Sequence, residues 1–192
     1  MDNFADFTWL NEPSHAELRG SDLFVRTVNA TDYWRGTFYG FWRDTGHFSR
    51  RSVTGDFSAE VTVVGNFTKL YDQAGLMARL SESHWIKAGV EFTDSELCLS
   101  VVVTNDNSDW SLTKIKVDPR GCRIRLTRHG EAFRVQYLDH EQDCWFPLRL
   151  AYLPTSNSID VGVMCCSPER EGFEVAFRDL VIGPPISRQL HD

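Results

Sequence analysis

Apolar and polar residues alternate along nearly the whole chain. In "GDFSAEVTVVG" the residues Phe57, Ala59, Val61 and Val63 share one face. "CRIRLTRHG" turns Ile124 and Leu126 the same way, and "EAFRVQYLD" turns Phe133, Val135 and Tyr137. A period of two is that of a β-strand with one buried face. "FPLRLAYLP", "IDVGVMCCSP" and "GFEVAFRDLVIG" continue the pattern, and "TGD", "RHGEA" and "EREG" punctuate it as turns. Helical periodicity is weak, and the one candidate helical turn lies around Ser14 to Leu18. About a dozen strands with short connections predict an all-β sandwich or barrel, and their number favours a jelly roll of two antiparallel sheets. No linker, repeat or composition break divides the chain, so a single domain over residues 1–192 is expected, with its core at about 7–183.

Three consecutive strands allow the register to be worked out. Ala74, Leu76, Ala78 and Leu80 are the apolar set of the first, Ile86, Ala88, Val90 and Phe92 of the second, and Leu97, Leu99, Val101 and Val103 of the third. Directly opposed residues share a face, so parity restricts the pairing. Pairing Leu80 with His84 and Phe92 with Leu97 keeps Arg79 away from Lys87, because like charges across a pair are unfavourable. Four rows then fall on the outer face: Gln73–Glu91–Cys98, Gly75–Gly89–Ser100, Met77–Lys87–Val102 and Arg79–Trp85–Thr104. The second row is nearly bare of side chains. Glycine within a strand often marks close approach of another group, so the rows predict a ligand trough.

Composition narrows the partners. The chain has 192 residues and a net charge of −7, which argues against nucleic acid and against an anionic membrane surface. No run of about 18 apolar residues exists to span a bilayer. "MDNFADFTWLNEP" has acids where a signal peptide needs bases, so a cytoplasmic location is expected. Five cysteines with no CxxC spacing suit reduced thiols, and neither zinc nor a full EF-hand loop is spelled out; "TNDNSDWS" is read as a polar loop. No cofactor motif or nucleophile elbow is present.

The aromatics bunch in "YWRGTFYGFWRDTGHF". Trp34, Tyr39 and Trp42, with Tyr71, Trp85 and Trp110, are candidate platforms for the C–H face of a sugar, as against plain core filling. Gln73, Lys87 and Glu91 are the polar set suited to hydroxyl or carboxylate groups, as against a solvated cross-strand ion pair. Asp44 and His47, in "RDTGHF", are a candidate ligand-binding or acid/base pair, as against a capped turn.

At "YWRGTFYGFWRDTGHF", "YDQAGLMARL", "HWIKAGVEF", "LSVVVTNDNSDWS" and "VGVMCCSPEREGFEVAF" the chain resembles a concanavalin A-like family of about 200-residue proteins, a domain family of unknown function, one yeast member of which is called regulation of enolase. The likeness runs from about Phe7 to Ile182. It implies a lectin/glucanase-type jelly roll of two antiparallel sheets with a concave face, where the groove predicted from the rows would lie, similar in outline to the all-β domain of some family-43 β-xylosidases. It brings no established activity, and the E-x-D-x-x-E strand of laminarinase-type relatives is absent here.

The sequence therefore predicts non-catalytic binding of a carbohydrate or sugar-like metabolite by Trp34, Asp44, His47, Tyr71, Gln73, Lys87, Glu91 and Trp110. Two alternatives stand beside it. One is a glycoside-active enzyme using Glu91 with Asp44 or Asp72. The other is a regulatory protein-interaction module, whose partner is another protein or, through edge strands, a second copy of the chain.

Overall fold

The structure, a computed structural model, describes residues 4–116, 118 and 120–190. Sixteen strands occur among these residues, and their pairings are all antiparallel. One seven-stranded sheet has the order β1 (Thr8–Leu10), β6 (His47–Thr54), β15 (Ser158–Cys166), β8 (Gln73–Ser81), β9 (His84–Thr93), β10 (Glu96–Asn105) and β11 (Asn107–Lys114). The other has the order β14 (Cys144–Tyr152), β13 (Ala132–Asp139), β12 (Cys122–His129), β7 (Phe57–Gly65), β16 (Glu174–Gly183), β3 (Asp22–Arg26) and β2 (His15–Arg19). A short hairpin, β4 (Tyr33–Arg35) and β5 (Trp42–Asp44), stands apart from both. This is the jelly-roll sandwich that the alternation predicts. Among the described residues no helix is long and apolar enough to cross a membrane.

The main core lies between the sheets. Ala74, Leu76, Ala78, Ile86, Ala88, Leu99 and Val101 from the first sheet meet Ala59, Val61, Ile124, Leu126, Phe133 and Val135 from the second, all at 1% exposure or less. These are the positions that the two-residue period turns inward. The residues around Ser14 to Leu18 form no helix. They are edge strand β2, with Ala16 opposite Val25. So short a helix cannot offset its nucleation cost alone, whereas β3 offers a ready ladder.

The predicted rows are present. Gln73 faces Glu91 and Glu91 faces Cys98; Gly75, Gly89 and Ser100 align; Met77, Lys87 and Val102 align; Arg79, Trp85 and Thr104 align. The hairpin ends differ in detail. Ser81, not Leu80, pairs with His84, because a bulge interrupts the register after Arg79. The next turn tightens to Asp94–Ser95 between paired Thr93 and Glu96, with φ of 50° and 64° at its two residues. That is the twist-matched two-residue form.

What covers the rows overturns the expectation of an open trough. The hairpin β4–β5 folds over this outer face and builds a second core of Tyr33, Trp34, Phe48, Met77, Trp85, Val102, Met164 and Cys166. The glycine row is not a floor for a ligand. A Cβ on Gly75 would lie 2.0 Å from the Ala88 carbonyl oxygen, and one on Gly89 would lie 2.0 Å from that of Ala74. Glycine is required because β8 and β9 approach too closely for any side chain. The space bounded by Gln73, Lys87, Gly89, Glu91, Ser100 and Met164 has no volume for even a water.

Gly89→Ala is expected to destabilise the protein by about 3 kcal/mol, since backbone rather than a flexible side chain must give way. Urea unfolding measures this, and an unchanged midpoint would contradict the close approach of the two strands.

Candidate functional site

The hairpin is tied to the sheet at both ends. At its start, the Lys87 ammonium donates to the Tyr33 carbonyl at 2.9 Å and to Gln73 Oε1, with Asp32 Oδ1 at 3.7 Å. Lys87 has only 4% of its side chain exposed. At its end, Arg79 grips Asp44 through two parallel hydrogen bonds of 2.7 and 2.8 Å. Such a forked pair is directional as well as charged. Along its length, the Arg35 amide donates to Ser108 Oγ at 2.9 Å, and Tyr33 OH donates to the Gly46 carbonyl. Gly46 makes room for this. A Cβ there would lie 2.2 Å from the Tyr33 ring.

Between hairpin and sheet remains a cavity of about 260 Å³. Trp34, Tyr39 and Phe41 from the hairpin and Tyr71, Val102 and Trp110 from the sheet side wall it, with Asp32, Gln73, Lys87 and Glu91 as polar groups and Arg43, Pro168 and Glu169 completing the lining. The rings brace one another. Trp34 meets Tyr39 edge-on at 5.7 Å and Trp110 at 6.4 Å, and Trp110 meets Tyr71 at 6.4 Å. Tyr39 and Tyr71 bring their hydroxyls to 3.3 Å. That hydrogen bond, with burial, pushes the Tyr71 phenol up to about 12.

Of the residues that the sequence nominates, Trp34, Tyr71, Gln73, Lys87, Glu91 and Trp110 come together in this one lining. Asp44 and His47 do not. Asp44 is held by Arg79, and the Asn11 amide donates to its carbonyl at 2.8 Å. His47 is 1% exposed, hydrogen-bonded through Nδ1 to the Asn11 carbonyl at 2.6 Å, and accepts the Val28 amide on Nε2 at 3.1 Å. Burial lowers its pKa, consistent with a neutral ring fixed in one tautomer. Both residues anchor the hairpin and the chain entering it. Two candidate platforms also move. Trp85 is fully buried beneath the hairpin, and Trp42 is 57% exposed with the Arg35 guanidinium 4.2 Å from its ring centre.

Asp72, the other carboxylate considered beside Glu91, is fully buried. It accepts from Arg170 Nε and Nη2 at 2.9 and 2.6 Å and from the Thr68 and Lys69 amides at 2.9 Å. Neither Asp44 nor Asp72 therefore shares the cavity that Glu91 lines. The carboxylate that does share it is Asp32, which the sequence reading missed. So were Phe41, Arg43, Pro168 and Glu169. Phe41 and Arg43 have the parity of Tyr39 and could have been found by extending the alternation through the aromatic block. Pro168 and Glu169 carry no local signal; the loop after β15 brings them to the cavity. Among the described residues no group of three or more His, Cys, Asp or Glu could hold a metal ion.

Glu91 is a buried carboxyl in the lining, and its ionisation is perturbed. Burial raises its pKa above the ordinary 4.5; the Lys87 charge and hydrogen bonds from Ser100 and Trp110 oppose the rise, and the Asp32 charge adds to it. A carboxyl with a raised folded pKa adds most to stability below its unfolded pKa and loses that contribution as pH rises through the folded value. Glu91→Gln is accordingly expected to raise the melting temperature at pH 7, with the gain shrinking as pH falls to about 4.5. Thermal melts of both proteins across this range measure it, and a pH-independent difference would contradict the assignment.

Three kinds of similarity bear on this site. The chain is 40% identical over 185 residues to "Regulation of enolase protein 1" of Saccharomyces cerevisiae, covering 96% of this chain and 93% of that protein. A solved structure from the same yeast, described as that of a functionally unknown protein, superposes with a TM-score of 0.91 at 39% identity, covering 97% of this chain and all of that one. More distant structures share the fold alone. A xylan β-1,4-xylosidase from Bacillus halodurans aligns over 95% of this chain and 38% of its own, with a TM-score of 0.71 at 13% identity. The carbohydrate-binding module CBM66 from Bacillus subtilis aligns over 83% of this chain and 94% of its own, with a TM-score of 0.51 at 14% identity. The family model described as "Protein of unknown function (DUF1349)" matches residues 9–185, and the chain belongs to that family.

Proposed function

We propose that the protein binds a carbohydrate or sugar-like metabolite, without turning it over, in the cavity between the β4–β5 hairpin and the first sheet. The observation that carries this reading is the convergence of five aromatic rings and the polar groups of Asp32, Gln73, Lys87 and Glu91 on one space of about 260 Å³. A sugar presents C–H faces to rings and hydroxyls to carboxylates and amides, and this lining offers both. The size sits just below the range of about 300–1,000 Å³ typical of drug-sized ligands, which suits a single sugar unit.

The charges favour a polyhydroxy ligand over an anionic one. Lys87 spends two donors on Tyr33 and Gln73 and faces Asp32 with the third, so little of its ammonium is left for a phosphate. Asp32, Glu91 and Glu169 supply acceptors for hydroxyl protons. The family-43 xylosidase and the carbohydrate-binding module share the sandwich, which supports the reading at the level of fold only.

The name of the yeast relative favours a second reading, in which the protein is a regulatory module that acts on a partner protein.

Tyr71→Ala removes a wall ring that lies outside both cores and should leave the fold intact. In calorimetric titrations with monosaccharides and their oligomers, at least one sugar is expected to bind the native protein, and the variant is expected to bind it about tenfold more weakly. Equal affinity would remove the ligand from this cavity.

A further inference from the structure

The tip of the hairpin carries a ring that neither core uses. Phe38 is 94% exposed, and its backbone sits at φ 64°, a region that bulky residues avoid. Gly36 and Gly40 hold the neighbouring left-handed positions, with φ of 67° and 71°, where glycine is at ease. Backbone hydrogen bonds close the turn: the Gly36 amide donates to the Phe41 carbonyl at 2.9 Å, and the Gly40 amide to the Gly36 carbonyl at 2.7 Å. The turn's shape thus does not depend on the Phe38 side chain, and a strained position is occupied by a phenyl ring held in water. Strain of this sort persists mainly where function calls for it.

The ring is nevertheless placed in relation to the cavity. Its centre lies 5.1 Å from that of Tyr39, edge-on at 89°. Tyr39 in turn stacks on Phe41 at 5.4 Å and meets Trp34 at 5.7 Å, and all three line the cavity. Phe38 therefore carries the aromatic wall outward, from the buried rings through the half-exposed Tyr39 to the solvent.

Building on the saccharide reading, we propose that Phe38 is a second sugar subsite: the cavity takes the terminal unit of an oligosaccharide, and Phe38 stacks on the unit that follows it. A cavity of about 260 Å³ accommodates one unit and leaves the next outside. A ring at the rim is what that outer unit would meet, its C–H face covering the phenyl surface now in water. The ligand class is thereby a chain end and not a free monosaccharide.

The test is calorimetric titration of the full chain with glucose, galactose, mannose, xylose and arabinose, each beside its homodisaccharide. The native protein is expected to bind at least one disaccharide more tightly than the matching monosaccharide. Phe38→Ala is expected to weaken that disaccharide about fivefold to tenfold while leaving the monosaccharide unchanged. Phe38→Trp, which keeps a platform, is expected to restore the difference. With the side chain in solvent, both variants should melt with the native protein. Equal binding of both members of every pair, or a disaccharide affinity untouched by Phe38→Ala, would overturn the subsite while leaving the cavity reading in place. Failure of the native protein to bind any sugar of the panel would overturn both.

Discussion

A buried ammonium group organises this molecule. Lys87 lies on the outer face of a central strand, where water would ordinarily solvate it, yet it is 3% exposed. A charge removed from water must be neutralised and hydrogen-bonded, or it costs several kcal/mol. Its acceptors come from three places: Gln73 on the adjacent strand, Asp32 ahead of the hairpin, and the carbonyl of Tyr33 at the start of the hairpin itself. Lys87 is satisfied only when the hairpin is down. The Arg79–Asp44 pair repeats the arrangement at the other end. The second core of Tyr33, Met77 and Trp85, and the cavity above Glu91, follow from that closure.

Much of this is legible in the sequence, and the limit falls at a definite place. Parity and the like-charge rule are local, and they yield the four rows of β8, β9 and β10 as they stand in the fold. They also bring Gln73, Lys87 and Glu91 together. What they cannot show is which side of a strand meets water, because that depends on a segment some forty residues earlier in the chain. Trp85 has the outward parity assigned to it and is still fully buried. Gly75 and Gly89 look alike whether the space above them is filled by a ligand or closed by the neighbouring backbone, and the backbone closes it. Asp44 and His47 have residue types suited to chemistry, but an arginine from β8 and a carbonyl from the N-terminal segment claim them first. Asp32 escapes a reading of the sequence because it adjoins the aromatic block without belonging to its pattern.

The site that results is more enclosed than an open groove and more polar than a core. Family membership and the shared sandwich fix the scaffold; the chemistry rests on this chain's own residues. Rings that brace each other edge-on give rigid walls, which lowers the entropy lost when a ligand is held. Glu91 and Asp32 add carboxylates to the lining, and the Lys87 ammonium, 3.7 Å from Asp32, is turned toward the protein. The aromatic path from Trp110 through Tyr39 to Phe38 gives the cavity a direction, from a buried end to an exposed one.

The rest depends on Lys87 holding the hairpin against the sheet. Amide hydrogen exchange on Lys87→Met tests this most directly. If the lysine is the anchor, amides of residues 33–44 lose protection in the variant while those of the inter-sheet core strands keep theirs. Native-like protection of the hairpin, with the ammonium gone, would contradict it.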